Sequence, residues 1–196
     1  MKSTAIALAM LLAAPALGVA GASRLAAQDV SLELRGGAAI GNYSESGAGL
    51  EWEPGPSFAA EAQLEVRPRF AVYAGFTRSS FGCEEGFCTD LDATFTAQGI
   101  TAGARWTPGL PWARAGLAWQ SLELDATGGG GSGDMAFGFD LGAGVDFSLG
   151  RGVRARPGIS YRRVGSSLDD EDGHFTLLAL ELGAAVRIFS PDPRAR

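Results

Sequence analysis

His174 is the only histidine in the chain, and imidazole is the side chain most often used for acid–base catalysis near neutral pH. It follows the acidic run at residues 169–172 and lies between Gly173 and Phe175. Nucleophilic catalysis needs a nucleophile and a base within hydrogen-bond reach of each other. No serine adjoins His174 in the sequence. We therefore interpret it as an exposed loop histidine and predict a protein that is not an enzyme.

Residues suited to metal or redox chemistry are few. Cys83 and Cys88 are the only cysteines, and in an exported chain such a pair forms a small disulfide that closes one loop. The acidic run at residues 169–172 lacks the spacing of an EF-hand calcium loop. The glycine-rich stretch 128–133 lacks the Lys-Ser/Thr pair of a phosphate-binding loop. We predict no metal and no cofactor.

The other charged side chains lie in segments that repeat every two residues, most clearly at residues 135–149. Odd positions from Met135 to Leu149 are apolar, while even positions are glycine, alanine, serine or an aspartate, Asp140 or Asp146. A period of two predicts a β-strand, because a helix repeats every 3.6 residues. A strand crosses a bilayer in about nine to eleven residues, so this segment is long enough to do so.

Seven further segments share this two-faced pattern. We predict eight strands at residues 30–41, 57–67, 70–79, 93–106, 112–124, 135–149, 153–164 and 175–189. The alternation slips at Ser121 and Leu122, where we predict a bulge. Pro157 predicts an irregularity, because proline has no N–H for the ladder. Short and long connections alternate along the chain, which is typical of an up-and-down outer-membrane barrel.

The N-terminus predicts export. Residues 5–22 are apolar, follow Lys2 and end in small residues, as in a secretory signal peptide. Cleavage after Ala22 or Ala27 fits, and we place the mature start near Gln28, which gives a signal peptide at 1–27, a barrel at 28–189 and a short periplasmic tail at 190–196. The mature net charge falls from −6 to −8, because only the cations Lys2 and Arg24 are removed. An acidic chain without basic clusters argues against nucleic acid as a partner.

Alternation alone leaves open which face points inward, since a soluble lipocalin-like periplasmic carrier has the same period with its apolar face inside. The polar faces combine glycines with long charged side chains, which suits the narrow interior of eight strands. Six acids and eight arginines nearly balance there, as buried charge requires. We predict a network of lumen charges formed by Glu33, Arg35, Glu61, Glu65, Arg67, Arg105, Arg114, Asp140, Asp146, Arg154, Arg156, Arg162, Glu181 and Arg187.

Aromatic residues support the same orientation. Phe70, Trp106, Trp112, Phe147 and Phe189 all lie near strand ends beside the short turns. That is the position of an interfacial aromatic girdle in a membrane barrel. We therefore predict an all-β fold: an eight-stranded antiparallel up-and-down transmembrane β-barrel, with its polar face inside.

The signal peptide, the eight strands, the alternating connections and the last strand A-L-E-L-G-A-A-V-R-I-F resemble the small outer-membrane barrels of the OmpA/OmpX type. The resemblance covers essentially the whole mature chain. It implies the outer membrane of a Gram-negative bacterium, contact with lipid and lipopolysaccharide, and a monomer. It also implies recognition by the barrel-assembly machinery through a C-terminal aromatic, here Phe189, which the tail at residues 190–196 follows.

The long loops are the surface on which partners are expected to bind. Tyr43, Trp52, Phe81 and Phe87 are the candidate binding residues there, for an extracellular protein or lipopolysaccharide, although they can equally pack on one another. We expect a structural or surface-binding role in envelope integrity or adhesion, with a closed lumen. The alternatives are a narrow passive channel, a lipid-modifying enzyme and a soluble carrier.

Overall fold

The computed structural model describes residues 28–44, 52–83, 93–126, 129–150, 152–168 and 171–190. These residues form antiparallel strands joined by turns, and they contain no helix that could span a membrane. The strands are β1 (Val30–Ser44), β2 (Trp52–Glu53), β3 (Gly55–Arg67), β4 (Phe70–Cys83), β5 (Ala93–Trp106), β6 (Pro111–Ala126), β7 (Gly129–Ser132), β8 (Ala136–Val145), β9 (Phe147–Gly150), β10 (Val153–Leu168) and β11 (Glu171–Phe189).

Eight long strands close into a barrel. Each of β1, β3, β4, β5, β6, β8, β10 and β11 pairs with the next long strand along the chain, and β11 also pairs with β1. The β1–β11 register runs from Val30 opposite Phe189 to Ser44 opposite His174. Closure leaves the long strands without a free edge in the membrane, where an unpaired backbone group is costly. The predicted closed eight-stranded antiparallel barrel is confirmed.

Three predictions fall outside the described residues. They are the signal peptide at residues 1–27, the tail at 190–196, of which only Ser190 is described, and the pairing of Cys83 with Cys88. Cys88 and the side chain of Cys83 are not among the described groups. They stay predictions.

The segment predicted as one strand at residues 135–149 is interrupted once. β8 ends at Val145 and β9 begins at Phe147, while the N–H of Asp146 donates to the carbonyl of Leu110 at 2.7 Å. On β10, residues from Gly158 onward pair with β8, and residues up to Ala155 pair with β9. Pro157 therefore lies opposite the interruption, at the irregularity that its missing N–H predicts.

The apolar faces point outward. Large side chains such as Leu34, Leu117 and Leu180 are about two-thirds exposed, while their sequence neighbours Glu33, Ala118 and Glu181 are buried. Ten residue steps separate Leu178 from Ile188 on the outer face of β11. At about 3.4 Å per residue and a tilt of about 40°, this gives a band about 26 Å high, which matches the apolar band of an outer-membrane barrel.

Aromatic side chains rim this band at both ends. Phe70, Trp106, Phe147 and Phe189 face outward beside the short turns, as predicted. A second belt lies near the loops and contains Phe58, Phe76, Trp119, Phe137 and Phe139. The prediction for Trp112 is wrong: its ring is buried inside the barrel, and its Nε1–H donates to the carbonyl of Val145 at 3.1 Å.

Candidate functional site

The middle of the lumen holds a network of buried ion pairs centred on Glu33. Its Oε2 accepts from Arg105 Nη1 and Arg156 Nη1, each at 2.5 Å, and from Gln63 Nε2 at 2.6 Å. Arg156 Nε also donates to Asp146 at 2.9 Å. Side chains from β3, β5 and β10 thus converge on one carboxylate of β1, since the inward parity of each strand projects its side chain toward the axis.

A second part of the network lies closer to the loops. Arg114 bridges Glu61 at 2.8 Å and Asp140 at 3.1 Å, and Tyr73 donates its hydroxyl hydrogen to Asp140 at 2.8 Å. Arg35 lies 2.5 Å from Glu61 and 3.8 Å from Glu33, so it joins the two parts.

The third part surrounds Glu181. Arg35 Nη1 lies 3.1 Å from its carboxylate, which also accepts from the hydroxyls of Ser57 and Ser160 at 2.9 and 3.1 Å. Arg162 donates to Thr77 at 3.0 Å and completes this part. Four of the five carboxylates accept from at least two donors, and Asp146 lies beside two guanidinium groups, which lowers the cost of burying their charge.

Ten of the fourteen residues predicted for the lumen form this charged network, and their charges cancel. Five carboxylates face five guanidinium groups, all buried: Glu33, Glu61, Asp140, Asp146 and Glu181 with Arg35, Arg105, Arg114, Arg156 and Arg162. The other four lie elsewhere. Glu65 and Arg67 are exposed near the β3–β4 turn, and Arg154 and Arg187 are only partly buried at the end of the lumen.

Glycines on the inner face make room for the large members of this lumen. A Cβ at Gly116 or Gly103 would lie 2.6 or 2.8 Å from the hydroxyl oxygen of Tyr73. A Cβ at Gly158 would lie 2.4 Å from the Trp112 ring. Tyr73 and Trp112 are missing from the predicted network. The alternation could have placed them there, because Trp112 lies two residues from Arg114 on β6, and Tyr73 stands opposite Gly103, two residues from Arg105 on β5. The Arg105 guanidinium lies over the Trp112 ring, 4.8 Å from its centre.

The loop end of the lumen is filled by apolar side chains instead. This apolar cluster comprises Phe81, Phe95, Ala97, Ala118, Leu122, Val164, Phe175 and Leu177. The rings of Phe81 and Phe95 stack with centres 5.3 Å apart. Two predictions are corrected here. Leu122 keeps the inward parity of β6 without a bulge, opposite Ala97 in a regular register. Phe81, proposed as a loop residue that either binds a partner or packs on other loop aromatics, is a buried residue of β4.

The opposite end of the lumen opens beside the short turns into a cavity of about 840 Å³. We call this cavity the vestibule. Its lining includes five arginines, Arg69, Arg105, Arg154, Arg156 and Arg187. Arg154 lies 3.3 Å from Asp146, and Arg187 lies 3.2 Å from Asp29. The vestibule narrows onto the charged network at Arg105 and Arg156, which belong to both.

His174 lies in β11 rather than in a loop. It stands opposite Gly165 of β10 and Ser44 of β1 in the register. Its Nε2 lies 3.2 Å from Nη2 of Arg163, and because a guanidinium can only donate, Nε2 is the acceptor. That contact engages the nitrogen lone pair that a catalytic base would use. The register thus places Ser44 opposite His174, which is the neighbouring serine that the sequence lacked. The contact with Arg163, however, opposes a base function of His174.

The remaining loop candidates are placed only by their backbones or not at all. Tyr43 pairs with Phe175 at the loop end of β1, and Trp52 of β2 pairs with Cys83 of β4. Phe87 lies outside the described residues. The part of the chain that the structure describes contains no group of three His, Cys, Asp or Glu residues placed to hold a metal ion.

A closed eight-stranded barrel with an apolar outer band, two aromatic belts and a charged interior defines a class of protein. Such a molecule is built to lie in an outer membrane. The chain belongs to the family described as outer membrane protein beta-barrel domain, whose model matches residues 7–187. Its location is the outer membrane of a Gram-negative bacterium. A search of curated proteins by sequence gave no match.

Solved structures of similar fold agree with this assignment. Neisserial surface protein A matches with a TM-score of 0.56 at 18% identity, covering 80% of this chain and 97% of that one. The attachment invasion locus protein Ail of Yersinia pestis, in complex with the heparin analogue sucrose octasulfate, gives 0.53 at 20% identity, with 80% and 99% covered. OprG of Pseudomonas aeruginosa gives 0.52 at 11% identity, with 84% and 98% covered. At these identities the likeness concerns the fold.

Proposed function

We propose that this protein is a monomeric surface-binding barrel whose lumen is closed and whose extracellular loops hold the binding surface. The observation that carries the proposal is the double closure of the lumen. The charged network fills its middle, and the apolar cluster fills its loop end. A filled eight-stranded interior leaves no path for a solute, so the variable surface is the set of loops.

The loops have a strong charge bias. The connections at residues 42–56, 80–92, 125–134 and 165–174 contain thirteen aspartates and glutamates and no lysine or arginine. Opposite charge steers association and suppresses wrong partners. We therefore propose a partner with a basic surface, namely an extracellular protein rich in lysine or arginine.

Two of the similar structures bear names that support a surface role: one is a surface protein and the other an attachment invasion locus protein. The latter is seen with a heparin analogue, which is a polyanion. The acidic loops of the present chain would repel such a ligand, since like charges brought together cost free energy. The proposed surface role is shared with these proteins, but the charge of the proposed partner is reversed.

The test is adhesion of cells that display the barrel to surfaces coated with poly-lysine or with heparin. We expect binding to poly-lysine that weakens with salt and is reduced when residues 169–172 are changed to the corresponding amides. The matched control is Glu65→Gln, which removes one exposed carboxylate at the opposite end of the barrel. Equal binding to both coatings, or equal loss in the control, would contradict the proposal.

Lipopolysaccharide is the proposed lipid partner in the outer leaflet. Arg78 on β4 is exposed two residues beyond Phe76, the last large apolar residue on the outer face of that strand. Arg163 on β10 occupies the corresponding place two residues beyond Tyr161. Guanidinium groups at this height suit phosphate groups at the membrane surface. Arg78→Gln together with Arg163→Gln should reduce co-purified lipopolysaccharide, measured by phosphate content.

Assembly and conduction complete the proposal. Phe189 is half exposed on the outer face at the end of β11, opposite Val30. We propose that it serves as the aromatic of the assembly signal, so Phe189→Ala should lower the amount of folded protein in outer-membrane fractions.

Conductance in planar bilayers distinguishes the closed barrel from the channel. We expect no steady conductance, and discrete openings of the wild-type protein would favour the channel.

A further inference from the structure

We infer that the vestibule is a binding site for a phosphate group, reached from the periplasm. This function is independent of the loops and of any extracellular partner. It rests on the cavity, on its charge, on the backbone at Arg69 and on the closure of the lumen above it.

The first observation is the charge of the cavity wall. Five guanidinium groups line the vestibule, against the two carboxylates of Asp29 and Glu65. Arg105 and Arg156 belong to the charged network, whose five carboxylates and five guanidinium groups cancel. Arg69, Arg154 and Arg187 remain, against Asp29 and Glu65, so the vestibule keeps a surplus of one positive charge. A cavity with a surplus of cations, in a chain of net charge −6, is a site of positive potential.

The second observation is the number of donors left over. The Arg154 side chain is 43% exposed and the Arg187 side chain 32% exposed, and each contacts one carboxylate. A guanidinium has five N–H donors, so most donors of these two residues remain for a ligand. Arg105 lines the floor, and its Nε has no hydrogen-bond partner among the described residues.

The third observation is the backbone of Arg69. This residue has φ of 71° in the turn between β3 and β4, a conformation that favours glycine. Arg69 lines the vestibule and makes no ion pair within the described part of the chain. Neither the turn nor an ion pair explains an arginine at this position. Its guanidinium is therefore available to a ligand in the vestibule.

The charges identify the ligand. The arginines come from separate parts of the wall: Arg69 from a turn, Arg105 from β5, Arg154 and Arg156 from β10, and Arg187 from β11. A planar carboxylate is satisfied by one bidentate guanidinium, whereas a tetrahedral phosphate presents oxygens in several directions. The charged network and the apolar cluster block access from the loops, so the phosphate must come from the periplasm or from inner-leaflet lipid headgroups.

The experiment is calorimetric titration of the folded, full-length mature barrel with inorganic phosphate in an uncharged detergent, at constant ionic strength set with chloride. We expect saturable binding that Arg154→Gln and Arg187→Gln together weaken at least about tenfold. The matched control is Arg67→Gln, an exposed arginine near the same turn that does not line the vestibule. It should change the affinity less than about twofold.

Arg69→Gly separates binding from folding. Glycine relieves the backbone at φ of 71°, so this variant should be at least as stable in urea as the wild type while binding phosphate more weakly. Folding of every variant is checked by its heat-dependent gel mobility. Absence of saturable phosphate binding to the wild type, displacement by chloride alone, or an equal loss in Arg67→Gln would overturn the inference.

A second titration distinguishes the source of the phosphate. Barrels in nanodiscs of phosphatidylglycerol are compared with barrels in the uncharged detergent. Undiminished binding of inorganic phosphate in the nanodiscs assigns the site to a soluble phosphate compound. Loss of binding of inorganic phosphate in the nanodiscs assigns the site to the lipid headgroup, which then occupies the vestibule. Both results support a phosphate site.

Discussion

The two halves of the lumen are filled by different kinds of side chain. Near the loops, Phe81, Phe95, Leu122 and Phe175 exclude water by packing. Toward the periplasm, carboxylates and guanidinium groups fill the space, and the lumen then widens into the vestibule. The comparison teaches that one inward-facing surface can be apolar at one end and ionic at the other, when apolar side chains pack together at one end and opposite charges are paired at the other.

The difference follows from what each end must satisfy. Apolar packing leaves no polar group to be solvated, so it can close the end that faces the exterior without a partner. An ionic network needs every member present, because removing one partner leaves an uncompensated buried charge. We therefore expect the ionic half to respond more strongly to single substitutions than the apolar half.

The largest expected effect is at the centre of the charged network. Glu33→Gln leaves Arg105 and Arg156 without their shared carboxylate, and should lower the free energy of unfolding by about 3–5 kcal/mol. Urea unfolding in detergent micelles measures this. Glu65→Gln, at an exposed position on β3, should change it by less than about 0.5 kcal/mol. Similar losses in both variants would refute the ionic closure.

The next effect is in the apolar cluster. Phe81→Ala removes one ring of the Phe81–Phe95 stack and should cost about 3 kcal/mol, the lower end of the range for a buried phenylalanine. No conductance should appear, because the charged network still fills the middle of the lumen. Phe76 on the same strand faces lipid, and lipid can fill the space that Phe76→Ala leaves. The free energy of unfolding should therefore fall less in Phe76→Ala than in Phe81→Ala. Conductance in Phe81→Ala would mean that the apolar cluster alone closes the barrel.

A smaller effect tests the space that glycine provides in the ionic half. The Cβ of Gly158→Ala would overlap the Trp112 ring, which should cost about 1–3 kcal/mol. Trp112→Leu should relieve the overlap, so the double variant should lose less than the two single losses added together. Strict additivity in urea unfolding would show that the backbone near Ala143, and not the ring, limits this position.

The smallest effect is outside the lumen. His174→Ala removes an exposed contact with Arg163, and the free energy of unfolding should change by less than about 0.5 kcal/mol. We also expect an unchanged mass spectrum of lipid A in cells that produce the variant in place of the wild type. A change in lipid A mass that depends on both His174 and Ser44 would instead establish the enzyme alternative.

Sequence reasoning predicted the strands and the orientation of their faces well. The two-residue period shows which side chains share a face, and the near balance of acids and arginines indicates that this face is enclosed. It failed where an inward position is apolar. Leu122 and Phe81 lie on the inner face but belong by residue type to the outer one, so the pattern was interpreted as a bulge and as a loop.

The sequence by itself determined the class of fold, because alternation, strand length and connection lengths are local properties. The tertiary structure alone decided which charges meet. The partners of Glu33 come from positions as far apart as Gln63 and Arg156, and only barrel closure and register bring them together. It alone also decided that the lumen is apolar at one end and opens at the other, because that gradient runs along the barrel axis and each strand contributes only one or two residues to every level.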